Sequence, residues 1–133
     1  ADESDLWRTQ TRAPFASEGL VVRAHWLPAQ LDRVLVWLRG LGARGIDAAL
    51  VGRVAMGLGT VSVGGAADHQ LDVVRAMRAT SDLFRHVVIL RGTPAIRAQV
   101  DPWGELGDAG RLQAALKGAL DPRGTLNAGR GPV

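Results

Sequence analysis

The sequence predicts an α+β domain in which an antiparallel sheet of four strands carries two helices on one face. Two observations predict it. Four short segments have the apolar patterning of strands, and two segments between them repeat apolar residues every three to four positions. The chain has 133 residues, of which 47% are apolar and 22% are charged. That composition is typical of a globular domain, and the length suffices for one hydrophobic core.

The first predicted strand and helix follow one another directly. Residues 19–26 alternate, so that one side of the strand is apolar and the other carries Arg23 and His25. A Leu-Pro pair then opens a helix, because proline is tolerated in the first helical turn. The glycine-rich stretch 40–45 ends that helix.

A hairpin, a second helix and a fourth strand are predicted next. Residues 47–56 and 58–63 are two strand-like runs that meet near Gly57. Asp68 is suited to cap a second helix. Residues 85–91 contain the most apolar short run of the chain and predict a fourth strand.

The resulting order, βαββαβ, is that of the ferredoxin-like arrangement. We expect three segments: an N-terminal arm or linker (1–18), the ferredoxin-like domain (19–92), and a C-terminal loop, helix and extended tail (93–133). The C-terminal helix is predicted over 111–120, where an Asp-Pro pair stops it. The sheet face opposite the two helices is expected to remain open for docking.

Composition limits the function classes. The net charge is only +3, with a single lysine, Lys117, and arginines that are scattered rather than clustered. This pattern favours a solvated surface over nucleic-acid binding. The chain has no cysteine, and His25, His69 and His86 lack the spacing of a metal site. We therefore expect no nucleic-acid partner and no metal.

No segment has a self-contained catalytic pattern. The pair of glycines at 57 and 59 is not followed by a helix, so a dinucleotide fingerprint fails. No Gly-x-Ser-x-Gly nucleophile motif occurs. We assign no catalytic residue.

The strongest motif lies near the C-terminus. Residues 116–130 run Leu-Lys-Gly-Ala-Leu-Asp-Pro-Arg-Gly-Thr-Leu-Asn-Ala-Gly-Arg. This stretch resembles the ending of FAD-linked oxidases of the vanillyl-alcohol oxidase type, which is Lys-x-x-x-Asp-Pro-x-Gly-x-Leu-Asn-Pro-Gly-Lys/Arg. Ala128 departs from the family's proline. Residues 87–94, 101–104 and 6–8 extend the resemblance toward the FAD-binding subunit of glycolate oxidase.

The resemblance implies a function. The chain would be the C-terminal cap domain of an FAD-dependent oxidoreductase of 2-hydroxy acids, with FAD held mainly by an N-terminal FAD-binding domain that this sequence lacks. The chain alone is then expected to be inactive. The implied partners are that FAD-binding domain, a small 2-hydroxy acid, a second flavin subunit and an iron–sulfur subunit. The implied location is cytoplasmic, with membrane association through partner subunits.

The same resemblance suggests site residues. A carboxylate substrate needs a cation, and arginine binds it through its planar fork. Four strand residues are candidates for substrate binding: Arg23, His25, Arg53 and Arg91. Three more are expected near the flavin: Trp103, Asn127 and Arg130.

Two other functions compete with the oxidase. One is a stand-alone ferredoxin-like module that binds a ligand or protein without catalysis, with self-association through the open sheet face. The other is RNA binding on the sheet, which needs exposed strand aromatics for base stacking. Since the chain has only two Phe and no Tyr, we set RNA binding aside.

Overall fold

The computed structural model describes residues 2–16, 18–129 and 131. The chain divides into two compact units, Ala1–Pro102 and Trp103–Val133. The first unit contains the sheet and most of the helices, and the second contains the C-terminal helix and tail. In the part of the chain that the structure describes, no helix is both long and apolar enough to cross a membrane.

The predicted α+β fold is confirmed. The four strands are β1 (Leu20–His25), β2 (Ala48–Arg53), β3 (Leu58–Val63) and β4 (His86–Arg91), in the spatial order β2-β3-β1-β4. Every neighbouring pair is antiparallel. β3 therefore lies between the parallel strands β1 and β2, and β1 lies between the parallel strands β3 and β4. Each half is a split β-α-β unit, which defines the ferredoxin-like topology.

Five α-helices accompany the sheet among the described residues: α1 (Glu3–Arg12), α2 (Leu31–Ala43), α3 (Ala67–Ala79), α4 (Pro94–Arg97) and α5 (Gly107–Leu120). Helices α2 and α3 cover one face, as predicted. Their apolar residues, among them Val34, Leu41, Val74 and Met77, join one buried cluster with alternate strand residues. Asp68 lies in the first turn of α3 rather than at its N-cap, where Ala66 stands.

The other sheet face is less open than the sequence suggests. The predicted arm contains α1, followed by a short 3-10 helix at Ala13–Phe15 that contacts β2 and β3. Pro14 is buried there, and Val21 on the same face is fully buried. No side chain of α1 is buried, and the helix is mostly polar. Its sequence therefore does not have the apolar repeat that is typical of a packed helix.

A bulge in β4 changes which residues reach this face. Val22 pairs with Ile89, but Val21 pairs with Arg91, so β4 has one extra residue, Leu90. A β-bulge re-aims the side chains beside it. Arg91 consequently lies opposite Val21, on the face away from α2 and α3.

The second unit is built around α5 and the turn that follows it. Helix α5 begins at Gly107, four residues before the predicted start, and ends at Leu120. None of its residues is buried, and Leu112, Leu116 and Leu120 are exposed.

Candidate functional site

Strand pairing aligns polar and charged side chains on the face away from α2 and α3. Arg23 on β1 pairs with Thr60 on β3, which pairs with Val51 on β2. One step along, His25 pairs with Leu58, which pairs with Arg53. Because directly paired residues share a sheet face, Arg23, His25 and Arg53 lie on the same face. The alternation predicts this face for Arg23 and His25.

A cavity of about 360 Å³ lies between this face and the N-terminal helices. The sheet contributes the floor and α1 with its following 3-10 helix contributes the roof. Its lining consists of Trp7, Gln10, Thr11, Pro14, Phe15, Arg23, Val51, Gly52, Arg53, Thr60 and Leu90. The cavity is mostly apolar, with two arginines and three neutral hydrogen-bonding side chains, the composition expected of a small-molecule site.

The two cavity arginines are the cations available to a ligand. Within the described residues, neither Arg23 nor Arg53 makes a hydrogen bond or an ion pair. Arg53 lies two strands away from Arg23 and two residues further along, so their backbones are roughly 12 Å apart. None of the described lining residues is acidic. An anion entering this cavity would therefore meet two uncompensated guanidinium groups.

His25 shares the sheet face of Arg23 but is not one of the residues that line the cavity. Its ring meets the ring of His86 edge-on, with 6.0 Å between centroids. Burial, followed by the charges of His86 and Arg23, lowers the pKa of His25 below 6.5. The lowered pKa favours the neutral imidazole of His25, which can accept a proton or a hydrogen bond.

Arg91 is engaged by the protein itself. Its Nε donates to the carbonyl oxygen of Gly19 at 3.1 Å, and its Nη1 donates to that of Phe15 at 3.1 Å. The guanidinium carbon also lies 5.6 Å from the centre of the Phe15 ring. These contacts tie the 3-10 helix to β4, and Arg91 does not line the cavity. Its predicted role in substrate binding remains a prediction.

The C-terminal motif forms a clamp centred on Asp121. Its carboxylate accepts hydrogen bonds from the backbone N–H groups of Leu126 and Thr125, both at 2.9 Å, and from the Thr125 hydroxyl at 3.1 Å. Lys117 Nζ lies 3.4 Å from the same carboxylate and donates to the carbonyl oxygen of Leu126 at 2.9 Å. The backbone hydrogen bonds from Leu126 and Thr125 are the main reason that the pKa of Asp121 falls to about 2.

The motif's remaining residues also have a local structural role. Gly124, Asn127 and Gly129 have positive φ angles of 62°, 51° and 68°. Glycine adopts this conformation without strain, and asparagine tolerates it better than most residues. The Lys, Asp, Gly and Asn of the motif thus define the turn after α5.

The three residues predicted near a flavin all belong to the second unit. Trp103 is 39% exposed, and Asn127 is exposed. Arg130 lies outside the described residues. Their roles toward a flavin remain predictions.

Sequence reasoning missed three kinds of site residue. Trp7 and Phe15 form cavity walls but belong to a segment that was predicted to be an arm. Leu90 reaches the cavity beside a bulge that alternation does not predict. The buried Asp121 could have been found, because it stands four residues after Lys117 and directly before a turn.

The described residues do not bring together a set of metal ligands. Among residues 2–16, 18–129 and 131, no group of three His, Cys, Asp or Glu side chains comes together. The cavity offers arginines and apolar walls, which suit a small organic anion.

No family model, curated protein or solved structure matches this chain.

Proposed function

We propose that this chain is the substrate-binding cap domain of an FAD-dependent oxidoreductase of 2-hydroxy acids, of the glycolate oxidase type. The observation that carries the proposal is the pair of arginines, Arg23 and Arg53, that have no ion-pair partner among the described residues and lie in a mostly apolar cavity. A 2-hydroxy acid presents a carboxylate, which two guanidinium groups bind with charge-assisted hydrogen bonds. The resemblance of the C-terminal motif to FAD-linked oxidases supports a flavoprotein as the parent of this anion site.

FAD would supply the oxidation by taking a hydride equivalent from the substrate's α-carbon. In the proposal an N-terminal FAD-binding domain of the same protein holds the flavin, because the cavity seen here has no phosphate-binding loop among its lining residues. This chain would bind and orient the acid and would be inactive alone. The further proposed partners are a second flavin subunit and an iron–sulfur subunit, in the cytoplasm and membrane-associated through those subunits.

The chain's own residues divide the work in this proposal. Arg23 and Arg53 hold the carboxylate, and Thr60 between them offers a hydroxyl. His25, whose lowered pKa favours the neutral imidazole, accepts a hydrogen bond from the substrate's 2-hydroxyl group. Asn127 and Arg130 direct the tail toward the flavin domain, and the Asp121 clamp fixes the turn that precedes Asn127.

A second function is favoured by one specific observation. All residues that line the cavity belong to one compact unit, with α1 and its 3-10 helix lying over the sheet face. A stand-alone module that binds a small carboxylate would need nothing more. In the oxidase proposal α1 must share this face with a flavin domain, and its lack of buried side chains lowers the cost of moving it.

The test begins with the coding sequence that surrounds this segment. If it encodes an FAD-binding domain, the whole protein should be purified and its flavin absorbance followed after glycolate or D-lactate is added anaerobically. We expect bleaching, and we expect Arg23→Gln or Arg53→Gln to raise KM at least about tenfold. Arg39→Gln, an exposed arginine on α2, is the matched control. A whole protein without flavin, or one that no 2-hydroxy acid reduces, would leave the stand-alone carboxylate binder as the better account.

A further inference from the structure

The cavity beneath α1 is larger and more apolar than the smallest 2-hydroxy acids require. Its volume of about 360 Å³ equals that of roughly a dozen water molecules in the liquid. Glycolate has only five heavy atoms and no apolar side chain. A ligand of that size would leave most of the cavity wet or empty.

Most of the walls are hydrocarbon. Trp7 and Phe15 form an aromatic roof, and Val51 and Leu90 form an aliphatic floor on the sheet. Arg23 and Arg53 supply positive charge from two strands of the same face. A ligand that satisfies all these groups has an anionic end and a bulky apolar body.

The apolar part of the site is held in place by specific contacts. Arg91 donates to the backbone carbonyl of Phe15 at 3.1 Å and stacks 5.6 Å from the centre of its ring. The bulge at Leu90 brings that side chain to the cavity. Arg91 is in this account a positioning residue, which fixes the Phe15 wall.

We infer that the cavity selects 2-hydroxy acids with an aromatic or large branched side chain over glycolate. This inference rests on the proposed function for the 2-hydroxy acid class. The preference for a bulky side chain is inferred from the volume and the lining of the cavity alone. Filling an apolar site with additional hydrocarbon is worth about a tenfold gain or more for each methylene-sized group.

The experiment is calorimetric titration of the full chain, without flavin, using three probes. The probes are 3-phenyllactate, glycolate and the neutral 3-phenylpropane-1,2-diol. We expect 3-phenyllactate to bind at least about tenfold more tightly than glycolate. The diol, which lacks the carboxylate, should bind at least about tenfold more weakly than 3-phenyllactate.

Substitutions in the cavity test the binding of the anionic end and of the apolar end of the ligand separately. Arg23→Gln and Arg53→Gln should each weaken 3-phenyllactate binding about tenfold. Trp7→Ala should weaken 3-phenyllactate binding by a larger factor than it weakens glycolate binding. Because Trp7 is 54% exposed, this substitution should not prevent folding. Arg39→Gln should have no effect.

Several results would overturn the inference: equal or tighter binding of glycolate, equal binding of the diol, no binding of 3-phenyllactate, or 3-phenyllactate binding that is insensitive to all three cavity variants. The proposed function fails separately. If 3-phenyllactate binds as expected but no 2-hydroxy acid reduces a flavin in the whole protein, the cavity's preference is supported and the oxidase function is excluded. If glycolate reduces the flavin and no preference for a bulky side chain is found, the oxidase function is supported and the inferred preference is excluded.

Discussion

Individual arginines of this chain have different roles according to what faces them. Arg78 donates to the carbonyl oxygens of Val87 and Asp101, and Arg91 donates to those of Gly19 and Phe15. The guanidinium N–H groups of Arg78 and Arg91 therefore stabilise the fold. Arg23 and Arg53 have no such acceptors in the described structure, so their donors remain available to a ligand.

The alternation of residues 20–26 predicted the faces of Arg23 and His25, because a strand's side chains alternate strictly. It could not predict that Arg91 would bind backbone carbonyls. That outcome depends on the bulge at Leu90 and on Phe15, which is 76 residues away in sequence.

At Asp121 we expect a carboxyl titration far below the usual range. The carboxylate accepts two backbone hydrogen bonds and is only 9% exposed, which places its pKa at about 2. Because this pKa lies below the unfolded value of 3.8, the clamp is at full strength above about pH 4 and weakens as the pH falls toward 2. Amide NMR shifts of Thr125 and Leu126 should report that transition.

The substitution Asp121→Asn should abolish the acid titration of those two amides and increase their hydrogen exchange at pH 7. Asp108→Asn, at an exposed position of α5, is the control and should change neither. A wild-type midpoint near 4 at Thr125 and Leu126 would show that the clamp does not form.

For His25 we expect a pKa below 6.5 by NMR titration of its ring protons. Burial, His86 and Arg23 all disfavour its charged form. The folded state should therefore lose stability as the pH falls from 6.5 toward the folded pKa of His25. His86→Gln should raise the pKa of His25, whereas His69→Gln on α3 should not. A wild-type pKa at or above 6.5 would contradict this arrangement.

At the scale of elements, periodicity predicted those with apolar residues at strand or helix spacing. The sheet, α2, α3 and α5 have that spacing, and all were found near their expected positions, although α5 buries none of its residues. Helix α1 was missed because its segment is mostly polar, and its stabilising features are local. Asp2 caps it by accepting from the Ser4 N–H, and acidic residues occupy its first turn.

The cavity could not be predicted from sequence for the same reason. Its roof belongs to the missed helix and the 3-10 helix after it. Its floor depends on the register of four strands, and a one-residue slip of a strand would turn that strand's side chains to the other face.

The β2–β3 hairpin depends on glycine at position 57. Its φ is +71°, and an added Cβ would lie 2.0 Å from the carbonyl oxygen of Trp26. The Gly57 carbonyl in turn accepts from the Trp26 N–H at 2.9 Å. Gly57→Ala should therefore destabilise the fold by at least about 1–3 kcal/mol, measured by urea denaturation.

Gly40→Ala is the matched control for this substitution. Gly40 lies within α2 with a φ suited to any residue, and an added Cβ would contact nothing within 4 Å. This change should stabilise the protein by about 0.4–1 kcal/mol. Equal effects of the two substitutions would show that the hairpin lacks the backbone contact between Gly57 and Trp26.

At the scale of the whole molecule, the two compact units differ in how much they bury. Residues 20–22 of β1 are fully buried, whereas α5 buries none of its residues. Local opening free energies run from near zero in such exposed segments to the global value in the core.

We therefore expect the amides of α5 to exchange with solvent at least about a hundredfold faster than those of β1. Native-state hydrogen exchange by NMR measures both in one experiment. Comparable protection in α5 and β1 would show that α5 is covered by another surface in solution, of this protein or of a second copy.

The central claim is that Arg23 and Arg53 bind the carboxylate of a 2-hydroxy acid. The most direct measurement is NMR titration of the full chain with D-lactate, following the Nε–Hε signals of the arginines. The account predicts saturable shifts at Arg23 and Arg53, none at the exposed Arg111 of α5, and loss of the Arg23 shift in Arg53→Gln. Shifts that are absent, or that are uniform across all arginines, would contradict the claim and leave the cavity without an assigned ligand.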